Sequence, residues 1–270
     1  MENYLNSLKG RTVVVTGGSR GLGRAMVLAF CKAQARVGIV ATATSDALRA
    51  TLQEAHDLGF GDKPAVALGD LRDPGSAARV AAQLVSELGN IEVLVNNAGV
   101  PNVGAGSPFW KLEPDYWDRM VRTNIDGSFY LTRELTPPMI DRGFGRIVNI
   151  STGETTMVRK HLSPYGPTKA FVEAASKIFA QDLEGSGVTV NVLLPGGAVD
   201  TVADVTGQPT PGRTFVKASV MAQPILWLAS DLSSGHTGRR INASLWDETL
   251  PIHERLRQAG EQIDGPPRIM

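Results

Sequence analysis

Thr12-Val13-Val14-Val15-Thr16 runs directly into Gly17-Gly18-Ser19-Arg20-Gly21-Leu22-Gly23, and a helical pattern follows through Phe30 and Lys32. The continuous β-branched run predicts a strand buried on both faces. Glycines let the backbone turn tightly and let a pyrophosphate approach, while a helix N-terminus offers free N–H groups and the positive end of its dipole. Glycine spacing alone is a weak signal. Set between a strand and a helix, it predicts a phosphate site built from Gly17, Ser19, Arg20, Gly21, Leu22 and Gly23.

The same strand-then-helix alternation repeats outward from this turn. Arg36 to Ala41 reads as a second strand, ending at Thr42-Ala43-Thr44-Ser45 with no acidic residue. An Asp or Glu there would bind a ribose 2′-hydroxyl and repel a 2′-phosphate. Its absence at Thr42, with Arg20 in the glycine turn, favours NADP over NAD; the competing reading of Arg20 is a solvated surface cation. Asp46 to Leu58 is helical. Ala65 to Leu68 is a third strand ending at Gly69-Asp70-Leu71, and Pro74 opens a helix over Gly75 to Leu88. Ile91 to Val95 is a fourth strand, followed by Asn96-Asn97-Ala98-Gly99, small and amide residues suited to a backbone close to a ligand. Val100 to Pro114 reads as a loop at a substrate mouth, where Phe109 and Trp110 either line a pocket or anchor the loop.

Asp115 to Asp141 reads as one long helix, bent or stopped near Pro137-Pro138, with Asn124 inside it. An Asn buried in mid-helix needs partners for its amide. Gly145 to Ile150, Val188 to Leu194 and Arg239 to Leu245 read as strands; Tyr165 to about Glu184 and Ser219 to Leu232 read as helices. Residues 198–217 are rich in Gly, Pro and Thr and suggest a mobile lid. The polar stretch 251–270 suggests a tail, partly disordered or an arm for oligomer contacts. The alternation predicts a single α/β domain over residues 1–250, a doubly wound parallel sheet of about seven strands with helices on both faces. Ligands of such sheets bind beyond the carboxyl ends of the strands, where the glycine turn, Asp70, Asn97, Ser151, Thr152 and Pro195 all fall.

Composition narrows the partners. Of 270 residues, 42% are hydrophobic and 20% charged, with 27 basic against 27 acidic. A net charge near zero argues against bulk electrostatic binding of nucleic acid or an anionic membrane. No apolar run approaches membrane-spanning length, and Met1-Glu2-Asn3-Tyr4-Leu5 is no signal peptide. The single cysteine, Cys31, fits a reducing compartment and a packed core thiol; the expected location is the cytoplasm. His161 and His236 form no metal-ligand pattern with Cys or carboxylates, so no metal is expected. Arg159, Lys160 and His161 form a cationic loop, solvated or facing an anionic substrate or carrier.

The chemistry concentrates between Ser151 and Lys169. Tyr165 and Lys169, four apart, share one face of a helix. A neighbouring ammonium is expected to pull the phenol below its ordinary pKa of about 10, making a proton donor usable near neutral pH. A hydroxyl upstream could hold the substrate oxygen: Thr152 stands thirteen positions before Tyr165 and Ser151 fourteen. Adjacent strand residues face opposite ways, so only one of them meets the substrate, and Thr152 is favoured.

Taken together, the sequence resembles the short-chain dehydrogenase/reductase family in its classical branch. The resemblance rests on Thr16-Gly17-x-x-x-Gly21-x-Gly23, Asp70-Leu71, Asn96-Asn97-Ala98-Gly99, Asn124, Tyr165-x-x-x-Lys169 and Pro195-Gly196, and it covers roughly residues 8–245. It implies a Rossmann-type fold, a nicotinamide cofactor and a homodimer or homotetramer; Arg20 and Thr42 look like the NADP-preferring members, including the 3-oxoacyl carrier-protein reductases. It further implies that Tyr165 is the acid in reduction and the base in oxidation. Lys169 would lower its pKa and bond the nicotinamide ribose, and Asn124 would hold a water relaying protons by way of Lys169. Asp70 and Leu71 would flank the adenine, Asn97, Ala98 and Gly99 the ribose, Pro195 and Gly196 the nicotinamide, and Val199 and Thr201 its carboxamide. The family usually has Ser where this chain has Thr152. The expected function is hydride transfer between NADP(H) and a small carbonyl or secondary alcohol substrate. An NAD-linked catabolic dehydrogenase and a non-catalytic nucleotide-sensing regulator are the alternatives.

Overall fold

A computed structural model of the chain describes residues 4–59, 63–100, 107–199 and 215–262. Seven strands run parallel: β1 Thr12–Thr16, β2 Arg36–Ala41, β3 Ala65–Leu68, β4 Val93–Asn96, β5 Gly145–Ile150, β6 Val188–Leu194 and β7 Arg239–Asn242. An eighth, β8 Gly260–Gln262, pairs antiparallel with β7. The order across the sheet is β3-β2-β1-β4-β5-β6-β7-β8. The helices are α1 Gly21–Lys32, α2 Asp46–Asp57, α3 Pro74–Leu88, α4 Pro114–Val121, α5 Gly127–Asp141, α6 Glu154–Met157, α7 Tyr165–Asp182, α8 Ala222–Ala229 and α9 Ile252–Ala259. The chain winds one way from β1 through β2 to β3 and the other way from β4 onward. The reversal opens a crevice beyond the carboxyl ends of β1 and β4.

Strand periodicity divides the core in two. Val13 and Val15 enter one cluster, with Met26 and Phe30 of α1 and Ile225 and Trp227 of α8; Val14 enters the other, with Leu84 of α3 and Leu131 of α5. Burial on both faces is why Thr12–Thr16 carries no alternation of polar residues. Cys31 sits within the first cluster, where burial pushes its thiol up to about 11.

Two elements differ from the sequence expectation. The long helix is interrupted by a π turn at Arg122–Asp126, which contains Asn124, and not by its prolines. α5 continues through Pro137 and Pro138 to Asp141. Each proline removes one backbone donor, so the carbonyls of Arg133 and Glu134, four residues back, lose a helical partner while the helix runs on. Of the stretch 251–270, expected to be a polar tail, Ile252–Ala259 forms α9 and Gly260–Gln262 forms β8, and residues 263–270 lie outside the described residues. Leu256 and Ala259 are buried, and Gly260 pairs with Ile241 of β7. Its apolar positions are too few and too widely spaced among charged residues for composition to reveal them. Among the described residues no helix is long and apolar enough to cross a membrane.

Candidate active site

The glycine turn is locked to the loop after β4. Thr16 Oγ1 accepts from the backbone N–H groups of Asn97 (3.0 Å) and Ala98 (2.9 Å), and Asn97 Nδ2 donates to Thr16 O (2.9 Å) and Gly17 O (3.2 Å). Gly17 and Gly21 have φ of +65° and +57°, the left-handed region that glycine tolerates. A Cβ on Gly23 would lie 2.2 Å from Gly17 O and 2.5 Å from Asn97 Nδ2. Arg20 caps α1 in an extended conformation but makes no side-chain bond to its first turn, so that turn offers its N–H groups to an anion. Arg20 is exposed, as is Thr42 just past β2. Thr51 Oγ1 of α2 donates to Ser19 O at 2.9 Å and steadies the turn from behind.

On the far side of β2, Asp70 follows β3. Arg72 Nε donates to Asp70 Oδ1 (3.0 Å) and Oδ2 (2.9 Å), and its Nη2 to Oδ2 (2.6 Å). This hydrogen bonding holds the carboxyl below the usual carboxylate range. Leu71 is buried against Gly127 at the start of α5.

Beyond β5 the two adjacent hydroxyls have different surroundings. Ser151 turns inward, and its Oγ donates to Glu173 Oε1 at 2.7 Å. Thr152 is half-buried, and its hydroxyl lies close enough to the Tyr165 phenol to pull the phenol's pKa down. Tyr165 opens α7, and one turn later Lys169 is buried with Nζ donating to Ile150 O at 2.7 Å. The expected depression of the Tyr165 pKa does not appear. Burial pushes the phenol above its ordinary value, with only the Thr152 hydroxyl working against it. Lys169 Nζ lies 6.0 Å from the Tyr165 ring centroid and is committed to the Ile150 carbonyl. Burial also brings the lysine down to about 8, against the pull of Glu173 one turn further along α7.

Asn124 is buried in the π turn. Its Oδ1 accepts from Val100 N (2.8 Å), and its Nδ2 donates to Thr168 Oγ1 (3.1 Å), which itself donates to Tyr165 O (2.7 Å). The amide therefore ties the Asn97–Gly99 loop to the first turn of α7. These contacts place it as a brace, and the bond that Lys169 makes is to Ile150. Pro195 and Gly196 follow β6; Gly196 has φ +81°, and a Cβ there would lie 2.1 Å from Asn242 Oδ1 and Ser244 Oγ. Val199 ends the described part of that loop. Thr201 and most of the expected lid lie outside the described residues. Phe109 and Trp110 are largely exposed and pack edge to face on each other, 5.2 Å between centroids. Sequence reading missed Thr16 as the receiver of the Asn97–Ala98 backbone, and it missed Glu173 and Arg240 behind Ser151. For Glu173 a signal was present: it stands four residues after Lys169, on the same helical face. Among the described residues no group of three or more His, Cys, Asp or Glu could hold a metal.

The strand-order reversal, the glycine turn at the N-terminus of α1 and the Thr152, Tyr165 and Lys169 side chains all lie at the carboxyl ends of the parallel strands. A sequence profile described as short chain dehydrogenase matches residues 11–209. The chain belongs to the short-chain dehydrogenase family. This short-chain dehydrogenase is 31% identical over 243 residues to the acetoacetyl-CoA reductase of Shinella zoogloeoides, covering 87% of this chain and 97% of that protein. It is 28% identical over 245 residues to a 3-oxoacyl-[acyl-carrier-protein] reductase of Staphylococcus epidermidis, covering 87% and 97%. A metagenomic short-chain oxidoreductase solved in complex with NADP superposes with a TM-score of 0.69 at 28% identity, over 83% of this chain and 92% of the other. Members of the family bind NAD(P) and act as oxidoreductases on CH–OH or C=O groups. The crevice of this short-chain dehydrogenase fits such a cofactor: its glycine turn would be filled by any Cβ at Gly23, and the first turn of α1 presents donors to a phosphate.

Proposed function

We propose that this short-chain dehydrogenase transfers a hydride between NADP(H) and a carbonyl or secondary alcohol, with Tyr165 as acid in reduction and base in oxidation. The observation that carries this reading is the grouping of the Thr152 hydroxyl, the Tyr165 phenol and buried Lys169 one helical turn on, just past the ends of the strands beside the glycine turn. The nicotinamide, when bound, supplies or accepts the hydride. Gly17, Ser19, Gly21, Leu22 and Gly23 would hold its phosphates, with Asp70 and Leu71 at the adenine and Asn97, Ala98 and Gly99 at the ribose. Pro195, Gly196, Val199 and Thr201 would border the nicotinamide. Thr152 positions the substrate oxygen against the phenol, and Tyr165 Oη delivers the proton as the alkoxide forms. Lys169 holds positive charge behind the phenol, and Asn124 fixes the turn that carries Tyr165.

Arg20 and Thr42 support the cofactor preference: an exposed guanidinium precedes α1, and the end of β2 carries no carboxylate. A screen of NADPH and NADH oxidation over ketones, aldehydes and oxoacyl thioesters tests the whole reading. NADPH-dependent turnover is expected; turnover with NADH preferred would sink the cofactor assignment, and oxidation of neither coenzyme would sink the enzyme. Assembly as a homodimer or homotetramer belongs to the same proposal. Phe129 of α5 and Phe171 and Ile178 of α7 leave an exposed apolar face. Sedimentation velocity should show a species of at least twice the 28.8 kDa chain mass, and a monomer at micromolar concentration would remove that part.

A further inference from the structure

We propose that Glu173 and Arg240 are positioning residues for the reaction at Tyr165, holding the Ser151–Thr152 segment so that the Thr152 hydroxyl meets the phenol. This deepens the function proposed above and rests on it. The two side chains form a buried cluster uniting three elements. Glu173 lies on α7 and Arg240 on β7, their side chains 8% and 12% exposed. Arg240 Nε donates to both Glu173 oxygens at 3.1 Å, and its Nη2 donates to Thr152 O at 3.2 Å. Glu173 Oε1 also accepts from Ser151 Oγ at 2.7 Å. Arg240 Nη1 stands 3.6 Å from Glu154 Oε1 at the start of α6. The residue before the reacting threonine is therefore held by its side chain, and the threonine itself by its carbonyl.

Physical reasoning favours a positioning role over simple stabilisation. A buried ion pair is commonly no more stabilising than an apolar pair of similar volume, so its presence needs another reason. An apolar pair could fill the same space but could not grip Ser151 Oγ or Thr152 O. With Ser151 Oγ bonded to Glu173 and the Thr152 carbonyl bonded to Arg240, the peptide that carries the Thr152 side chain is held on both sides. A guanidinium does this where a lysine would not, because its planar fork serves the carboxylate and the carbonyl together. Reaction rates are sensitive to such placement, about 100-fold for a misplacement of about 1 Å.

The test uses the full chain, NADPH and the best carbonyl substrate of the screen. Arg240→Met alone strands a buried carboxylate, so the deciding variant is Glu173→Leu/Arg240→Met, which removes both charges and the grip together. It is expected to fold by circular dichroism and to bind NADPH within about threefold of wild type, while kcat falls about 30-fold or more, the order set by small misplacements. Arg240→Lys should recover only part of that loss, and Glu173→Gln, whose amide oxygen still accepts from Ser151, should recover most of it. A folded double variant with wild-type kcat overturns the proposal. So does an equal loss of NADPH affinity and kcat, which a general structural role would give. An inactive wild type would count against the proposed function instead. In that event a crystal structure of the double variant decides: a Thr152 hydroxyl unmoved beside the Tyr165 phenol overturns the positioning role, and a displaced Thr152 supports it.

Discussion

Tyr165→Phe is expected to abolish carbonyl reduction while NADPH binds as before. Phenylalanine keeps the ring and its packing at the start of α7, so the turn braced by Asn124 and Thr168 should stand. What leaves is the hydroxyl: the proton donor for the forming alkoxide and the neighbour of the Thr152 hydroxyl. Positioned acid–base groups contribute about 10²–10⁴ in rate. Initial rates of NADPH oxidation, compared with fluorescence titration of NADPH, measure both quantities. Residual turnover above about a tenth of wild type would be incompatible with that contribution from a positioned acid and would remove Tyr165 from the mechanism. Because burial raises the Tyr165 pKa, the phenol is protonated at neutral pH in the cofactor-free chain, which suits the reductive direction first.

Gly23→Ala is expected to remove cofactor binding altogether. The added Cβ would sit 2.2 Å from Gly17 O and 2.5 Å from Asn97 Nδ2. Neither can yield cheaply. Gly17 is held by its N–H to Val40 O at 2.8 Å, and Asn97 Nδ2 already bonds Thr16 O and Gly17 O. Relief requires the glycine turn and the β4 loop to separate, which opens the crevice between them. Overpacking of this kind costs about 1–3 kcal/mol of stability. Weakening of NADPH binding by at least 100-fold corresponds to about 2.8 kcal/mol. A Gly75→Ala control separates the local clash from any general effect of glycine replacement. Its Cβ meets only Arg79 and Asp73 at ordinary contact distance, so it should melt no lower than wild type. Isothermal titration with NADPH and a thermal melt of each variant read the outcome. Binding by Gly23→Ala within threefold of wild type would show that the turn does not form the cofactor site.

The candidate site was legible to an unusual depth because its residues follow from backbone requirements. Gly17, Gly21 and Gly23 stand where the turn needs left-handed φ or has no room for a Cβ, and such needs are written as glycine whatever the rest of the chain does. Tyr165 and Lys169 are one helical turn apart, so their shared face follows from spacing. The strands of the parallel sheet were visible as short β-branched runs. The C-terminal β8 was not, because a three-residue edge strand is defined by its pairing with β7 and carries no pattern of its own. The break at Asn124 was misplaced to Pro137-Pro138, since a π turn leaves no signature as strong as proline does.

The order of the elements, the glycine turn and the shared helical face of Tyr165 and Lys169 could be read from the chain alone, because each depends on local conformation or fixed spacing. Tertiary structure alone decided the surroundings of the two neighbouring hydroxyls. Ser151 and Thr152 are neighbours just past β5, and only packing against α7 and β7 gives Ser151 Oγ to Glu173 and the Thr152 carbonyl to Arg240. It also decided the charge at the site. Lys169 could not be seen from spacing to spend its ammonium on Ile150 O, nor Tyr165 to be raised by burial, because desolvation depends on residues far apart in the chain that pack around both groups.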